Sequence, residues 1–467
     1  MKDLTERESS FQTRPGTGTA VTQSQQEGGS IMKKRIAVLT AGVLACSMLG
    51  AVPAMAEGVE LNVTTTFAGE DGNAQNFKDA VAEWEEATGN TVNDASATSD
   101  EEFKNRVLMD FQTGADPDVL FFFNGADASP FIEEGKVVSI DTIRETYPEY
   151  ASNMNDDLIT PSIVDGVKYA VPVNGFWEAM FCNTEVLEAA GVEVPGADYT
   201  WEAFLEDCQK ISDAGYTPIA AALGNIPHYW WEFAIFNHNS PETHLTIPES
   251  VDDERGQAWV AGLEDIKALY EAGYFPENTL SATDDETFAM FTEGKAAFLI
   301  DGSWKVGGIA GAYQSDPEDP STLDTEKLDK ITVTYVPGMG DRKATDLIGG
   351  LSMGYYISTA AWEDEAKREA AVSFVEYMTS DEQVAKFAQH TASALKAAPE
   401  VDESAFNSLQ VKAMEMMSGV TSLTGAVQDI FNGECRVSTF DGMPQIVTGE
   451  VAATDAVTEG LEVYHAQ

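Results

Sequence analysis

The stretch Thr283–Trp304, TDDETFAMFTEGKAAFLIDGSW, carries the pattern that decides the fold. Thr283 followed three residues later by Glu286 is a capping box, so a helix starts here. Gly294 stops it. AAFLI (296–300) is a short continuous apolar run, as a strand buried on both faces requires. The run ends on Asp301-Gly302-Ser303-Trp304: an acid, a turn and the largest apolar side chain. Helix followed by buried strand is α/β organisation. Trp304 is then either a packing residue or a binding surface at a strand end.

The same alternation extends outward in both directions. GVELNVTTTF (58–67) alternates as a strand. Asn73–Thr88 puts Phe77, Val81 and Trp84 on one helical face before Gly89. Ser99 with Glu102 reads as a second capping box, opening a helix with Phe103, Val107 and Phe111 that Gly114 closes. VLFFF (119–123) is a buried strand. GVKYAVPV (166–173) and TPIAAAL (217–223) read as strands, and Thr200-Trp201 opens a helix. Val260–Ala272 is helical, ITVTYVP (331–337) is a strand, and LIGGLSMGYYIS (347–358) is a glycine-containing strand pair. Trp362–Met378 is an amphipathic helix, and Ser380 with Gln383 caps another. No tandem repeat and no long linker interrupts this order, so two lobes must interleave.

At 467 residues the chain exceeds one ordinary core, which implies two large domains. With 43% hydrophobic residues it can bury them. The formal net charge is -51, from 27 Lys+Arg against 78 Asp+Glu. That field repels nucleic acid and anionic membrane surfaces and disfavours anionic ligands.

Met32-Lys33-Lys34-Arg35 precedes an apolar run that ends at Ala54-Met55-Ala56, so 32–56 reads as a signal peptide. The expected location is outside the cytoplasm: extracellular, cell-surface or periplasmic. Val43-Leu44-Ala45-Cys46 offers a second processing route, lipidation of Cys46; the apolar run continuing past Cys46 favours cleavage after Ala56. Residues 1–31 are polar and read as a non-native upstream extension. Glu27-Gly28-Gly29 can be encoded with AGGAGG, a ribosome-binding sequence, about seven nucleotides before the Met32 codon. Cys182, Cys208 and Cys435 lack metal-ligand spacing, and one disulfide or packing thiols both fit them.

From Ala56 onward the chain resembles the bacterial extracellular solute-binding proteins of the sugar-binding family, receptors of ABC importers. TGADPDVLFF (113–122) is similar to the family's Gly-x-x-Pro-Asp-Val segment. DGVKYAVPVNGFWEAMFCNTEVLEAAGVEVP (165–195) is similar to its Gly-x-x-Tyr-x-x-Pro segment ending in Tyr-Asn-Lys, with Cys182 and Thr184 in place of the Tyr and Lys. FTEGKAAFLIDGSW (291–304) and GGLSMGYYIS (349–358) match two further segments in order. The resemblance implies a two-lobed, hinged, type II periplasmic-binding-protein-like α/β fold. It places the N-terminal lobe at 57–171 and 334–388 and the C-terminal lobe at 172–333 and 389–467. Crossings are expected near Val171–Gly175, Thr332–Tyr335 and Gln389. It also implies a monomer that closes on a carbohydrate, an oligosaccharide by expectation, and delivers it to ABC permease subunits, with no cofactor and no metal.

A sugar offers apolar faces and a rim of hydroxyls, so its receptor needs flat aromatics and directional polar groups. Ligands of α/β lobes sit beyond the carboxyl ends of strands. That rule nominates Trp304, Trp177, Tyr229 and one of Trp230 and Trp231. Among polar groups it nominates Glu70, Asp71, Asn124, Asp127 and Asp301, with Gly349 for close backbone approach. His228 reads as a hydrogen bonder. Rival readings are a receptor for a cation or peptide, a secreted glycoside hydrolase using two acids, and a surface adhesin. No nucleophile elbow, HExxH or phosphate loop supports an enzyme.

Overall fold

A computed structural model describes residues 58–466, apart from 70, 317–318 and 398–402. The upstream extension, the signal peptide, Cys46 and Glu70 lie outside the described residues. Ten strands fall in two sheets: β1 Glu60–Thr64, β2 Thr91–Asp94, β3 Val119–Phe123, β4 Phe176–Asn183, β5 Thr217–Ile219, β6 Ala296–Gly302, β7 Ile331–Thr334, β8 Asp346–Gly350, β9 Met353–Ile357 and β10 Ser422–Thr424.

The first sheet has the order β2-β1-β3-β9, parallel except for β3 against β9. Its apolar runs follow from burial on both faces. Val119 and Phe121 enter one core with Trp84 and Phe374, while Leu120 and Phe122 enter another with Phe103 and Phe131. The second sheet runs β10-β8-β4-β6-β5. β4 pairs with β6 on one edge; on the other it meets β8 through Phe176–Glu178 and β7 through Met180–Asn183. One continuous core surrounds this sheet.

Three passages join the sheets. Val171 still bridges to Tyr355 of β9, and Phe176 already belongs to β4, so the first passage is 172–175. The second lies at 351–352, between β8 and β9, and not near Thr332–Tyr335. β7 and β8 both pair with β4, and Val336, Ala344, Leu347 and Ile348 pack in the second core, so 334–350 stays with the second sheet. The two halves of LIGGLSMGYYIS therefore serve different sheets. Gly350 sits at this passage with φ of 154°, a conformation that favours glycine. The third passage follows Leu395 rather than Gln389, because Ala388, Ala394 and Leu395 pack in the first core and Leu409 in the second.

Most local signals held with small shifts, but GVKYAVPV forms no strand and only bridges at Val171 to Tyr355. The Thr283/Glu286 capping box forms. The helix over Glu101–Thr113 is capped by Asp100, whose side chain accepts from Phe103 N at 2.8 Å, one residue after the expected Ser99. TPIAAAL is strand only over Thr217–Ile219, and His228–Phe236 is a helix.

Gly349 is buried where β8 meets β4. A Cβ there would stand 2.5 Å from Phe176 O and 3.0 Å from Trp177 Cα, so the glycine serves sheet packing and does not border the cavity described below. Gly349→Ala is expected to destabilise the fold by about 1–3 kcal/mol, read as a lower midpoint in urea unfolding.

Candidate functional site

A cavity of about 270 Å³ lies between the sheets. Its wall comes from the loops beyond the carboxyl ends of β1 and β6, from Phe121 and Phe123 of β3, from the first turn of the helix His228–Phe236, from the first passage at 174–175 and from the segment 389–391. The loops touch across it. Gly72 N donates to Trp304 O at 3.0 Å, and a Cβ on Gly307 would stand 2.4 Å from Gly72 Cα. Only glycine at both positions allows that approach.

One side of the cavity is aromatic. The Trp304 ring lies 5.8 Å from that of Tyr229 and 6.3 Å from that of Phe176. Gly302 positions the indole. A Cβ on it would meet three Trp304 ring atoms at 2.1–2.3 Å, so the ring folds back over a bare Cα. Phe67 and Phe387, ring centroids 5.1 Å apart, supply aromatic surface from the first core.

The other feature is charge. Lys305, nearly buried, pairs with Asp284 at 2.7 Å. Lys104 pairs with Asp127 and with Glu101, each at 3.0 Å. Arg436, from beyond β10, reaches the same two acids at 3.1 Å each. Burial pushes the Asp127 carboxyl up, but Lys104 and Arg436 outweigh it and hold the group below its ordinary value. These ion pairs join segments of the first sheet's side to one of the second's. Asp71 and Asp429 line the cavity without such partners, and burial raises each to about 7.

Of the residues nominated from sequence, Trp304, Tyr229 and Asp71 line the cavity together, and His228 joins them. The rest do not. Trp230 and Trp231 are buried, the first against Phe204 and Phe275, the second against Trp259 and Phe440. Their helix is buried on every side from Trp230 to Phe236, so only its first turn reaches the wall. Trp177 points away from the cavity because β4 alternates, and its Nε1 donates to His390 O at 3.0 Å. Asn124 donates through N to Ser352 O and through Nδ2 to Leu351 O, pinning the second passage. Asp127 is consumed by its ion pairs. Asp301 lies under the wall, 1% exposed, accepting from Gly302 N and standing 3.9 Å from Lys305 Nζ.

Phe176 and Glu178 were missed, although alternation about Trp177 would have found both. Phe67 was legible as the end of a strand. Asp429 and Arg436 gave no local signal, since they reach the site only through the third passage, and His390 lies in the loop just before that passage.

The family model described as bacterial extracellular solute-binding protein matches residues 69–385. Putative binding proteins of Brucella abortus and Brucella suis are 24% identical over 173 residues, 36% of this chain and 40% of theirs. The chain thus spans about two fifths of the length of these curated relatives. Among solved structures, a chitin oligosaccharide binding protein is similar with a TM-score of 0.73 at 20% identity, over 88% of this chain and 99% of that one. The GacH receptor of Streptomyces glaucescens, solved unliganded and with acarbose, has a TM-score of 0.67 at 17% identity, over 88% and 98%. An ABC substrate-binding protein of Listeria monocytogenes in complex with cycloalternan has a TM-score of 0.66 at 16% identity, over 88% and 98%. At these identities the likeness establishes the fold, the two-lobed type II periplasmic-binding-protein architecture.

The raised carboxyl of Asp429 yields a stability test. Its stabilising share is complete below its unfolded value and is lost as pH rises through about 7. Asp429→Asn removes that loss. The melting temperature of the variant relative to wild type is expected to rise between about pH 5 and pH 8, measured by calorimetry on both proteins.

Proposed function

This chain belongs to the bacterial extracellular solute-binding proteins, and we propose that it captures an oligosaccharide between its two lobes and delivers it to the permease of an ABC importer. The observation that carries the reading is the Trp304–Tyr229–Phe176 wall, facing Phe67 and Phe387 across a cavity bordered by both sheets. Flat rings against sugar faces, rimmed by carboxyls and amides, are what carbohydrate recognition needs. Similar architectures named for chitin oligosaccharides, acarbose and cycloalternan add support.

The proposed lobes are 58–171 with 353–395, and 176–350 with 408–466. Residues 32–56 would direct export, with the acylated Cys46 as the other route to the cell surface. The receptor would work as a monomer and by closure alone, with no bond made or broken. A ligand touching both lobes favours the form in which they meet. Arg436 acts in that form by joining Asp127 and Glu101.

Two measurements test this. Tryptophan emission titrated against a panel of oligosaccharides should shift with the correct ligand, and Trp304→Ala should weaken that binding by roughly 1–3 kcal/mol with the melt preserved. Wild-type affinity in Trp304→Ala would remove the indole from the site. Arg436→Met should also weaken binding, by about 2 kcal/mol or more, although Arg436 is outside the cavity lining. Small-angle scattering of that variant with ligand should show a larger radius of gyration than the loaded wild type.

A further inference from the structure

The cavity wall holds an unusual set of buried atoms. β4 turns Phe176 to the cavity, so Glu178, two residues on, faces the same side one step deeper. Glu178 is 0% exposed, and neither carboxylate oxygen has a protein partner. Asn174 Oδ1, His390 Nδ1 and Thr391 Oγ1 also belong to wall residues and also lack partners. Gly175 N donates to Ala392 O at 2.6 Å and Trp177 Nε1 to His390 O, so 390–392 lies beside the entry to β4, while Glu178 lines the wall from the strand's other face.

These five atoms share one chemistry. Both Glu178 oxygens accept when ionised, and Asn174 Oδ1 accepts only, its amide nitrogen being used on Gly175 O. Burial lowers His390 to about 4, so its ring is neutral and one nitrogen offers a lone pair. The Thr391 hydroxyl accepts as well as donates. Buried acceptors left together call for a donor-rich partner. The nearby charge agrees. Lys104 and Lys305 are committed to Asp127, Glu101 and Asp284, while Asp71, Glu178 and Asp429 form no ion pair among the described residues.

We propose that the cavity binds a protonated amine at Glu178, that the ligand is therefore a saccharide bearing a free amino group, and that Glu178 selects it. An ammonium brings three N–H donors and no acceptor, whereas a hydroxyl brings lone pairs to face acceptors already in excess. Its charge also offsets the desolvation of a buried carboxylate, which otherwise has no counter-ion. Burial, with Glu232, Asp301 and Asp429 near, drives the Glu178 carboxyl far above its ordinary value, so it keeps its proton in the empty cavity and ionises only with a cation beside it. The inference rests on the receptor reading and narrows its ligand class.

The test titrates the intact protein with glucosamine oligosaccharides, with their N-acetylated counterparts of equal length, and with spermidine, following tryptophan emission and calorimetric heat. The amino saccharide should bind at least about tenfold tighter than the acetylated one, and Glu178→Gln should bring that ratio close to one. Equal or tighter binding of the acetylated sugar by wild type overturns the inference and leaves the receptor reading standing; this comparison needs no variant and survives a misfolded Glu178→Gln. An unchanged ratio in a folded Glu178→Gln removes Glu178 from the selection. Tighter binding of spermidine than of either sugar overturns the saccharide assignment. Failure of these sugars and of the wider oligosaccharide panel to bind overturns the receptor reading itself.

Discussion

The pairing of β4 along both edges is the constraint on which the rest depends. β6 holds one edge, and β8 and β7 share the other, so its register is fixed along its whole length. A one-residue slip would exchange its faces. In the register it has, Phe176 and Glu178 meet the cavity, and Trp177 turns to the opposite face, where its indole nitrogen holds His390 O. The same strand thus sets the aromatic wall, the place of a buried acid and the anchoring of the segment around His390. Because β8 pairs with Phe176–Glu178, the second passage at 351–352 must start beside the first.

Contact across the cavity uses two different kinds of chemistry. At one edge, Gly72 and Gly307 meet backbone to backbone, which is short-ranged and unaffected by salt. At the other, Arg436 and Lys104 share Asp127 and Glu101. Arg436 is 2% exposed, so this cluster is largely shielded from screening, and its desolvation is offset only while the partners stay together. Gly125 reinforces it: a Cβ there would lie 2.0 Å from Asp429 O, so the first sheet's side abuts the segment that carries Arg436. Sterics fix how near the lobes come, and the ion pairs fix which residues face each other.

Sequence made the local elements readable where a periodic pattern ended in a cap, as at Thr283 and Gly294. VLFFF declared its two-sided burial by having no polar alternation. What stayed hidden was long-range. β8 and β9 are adjacent in sequence, and nothing in GGLSMGYY marks that they leave for different sheets; long-range pairing decides it, β8 with β4 through Gly350 and Phe176, and β9 with β3. The tryptophans misled for a related reason. Residue type nominated Trp177, Trp230 and Trp231, but pleat direction and a helix buried on every side sent them into the core. Trp304 was legible because it follows a strand end; that its ring folds back over the bare Cα of Gly302 was not.

The acidity of the chain takes on a second meaning beside the cavity. A net charge of -51 spread over a surface aids solubility and also draws cations towards the protein. Within the cavity the imbalance persists at short range, since the two lysines on its wall are neutralised by acids of their own. Asp71 and Asp429, raised to about 7, stand near the point where a small change in surroundings decides their ionisation. A cation entering from solvent would favour their charged forms, and each ionised group would in turn bind it better. The aromatic wall has no such dependence, because stacking on Trp304 is indifferent to proton occupancy. Shape and ring stacking therefore set which ligands fit, while the buried carboxyls grade those that fit by charge.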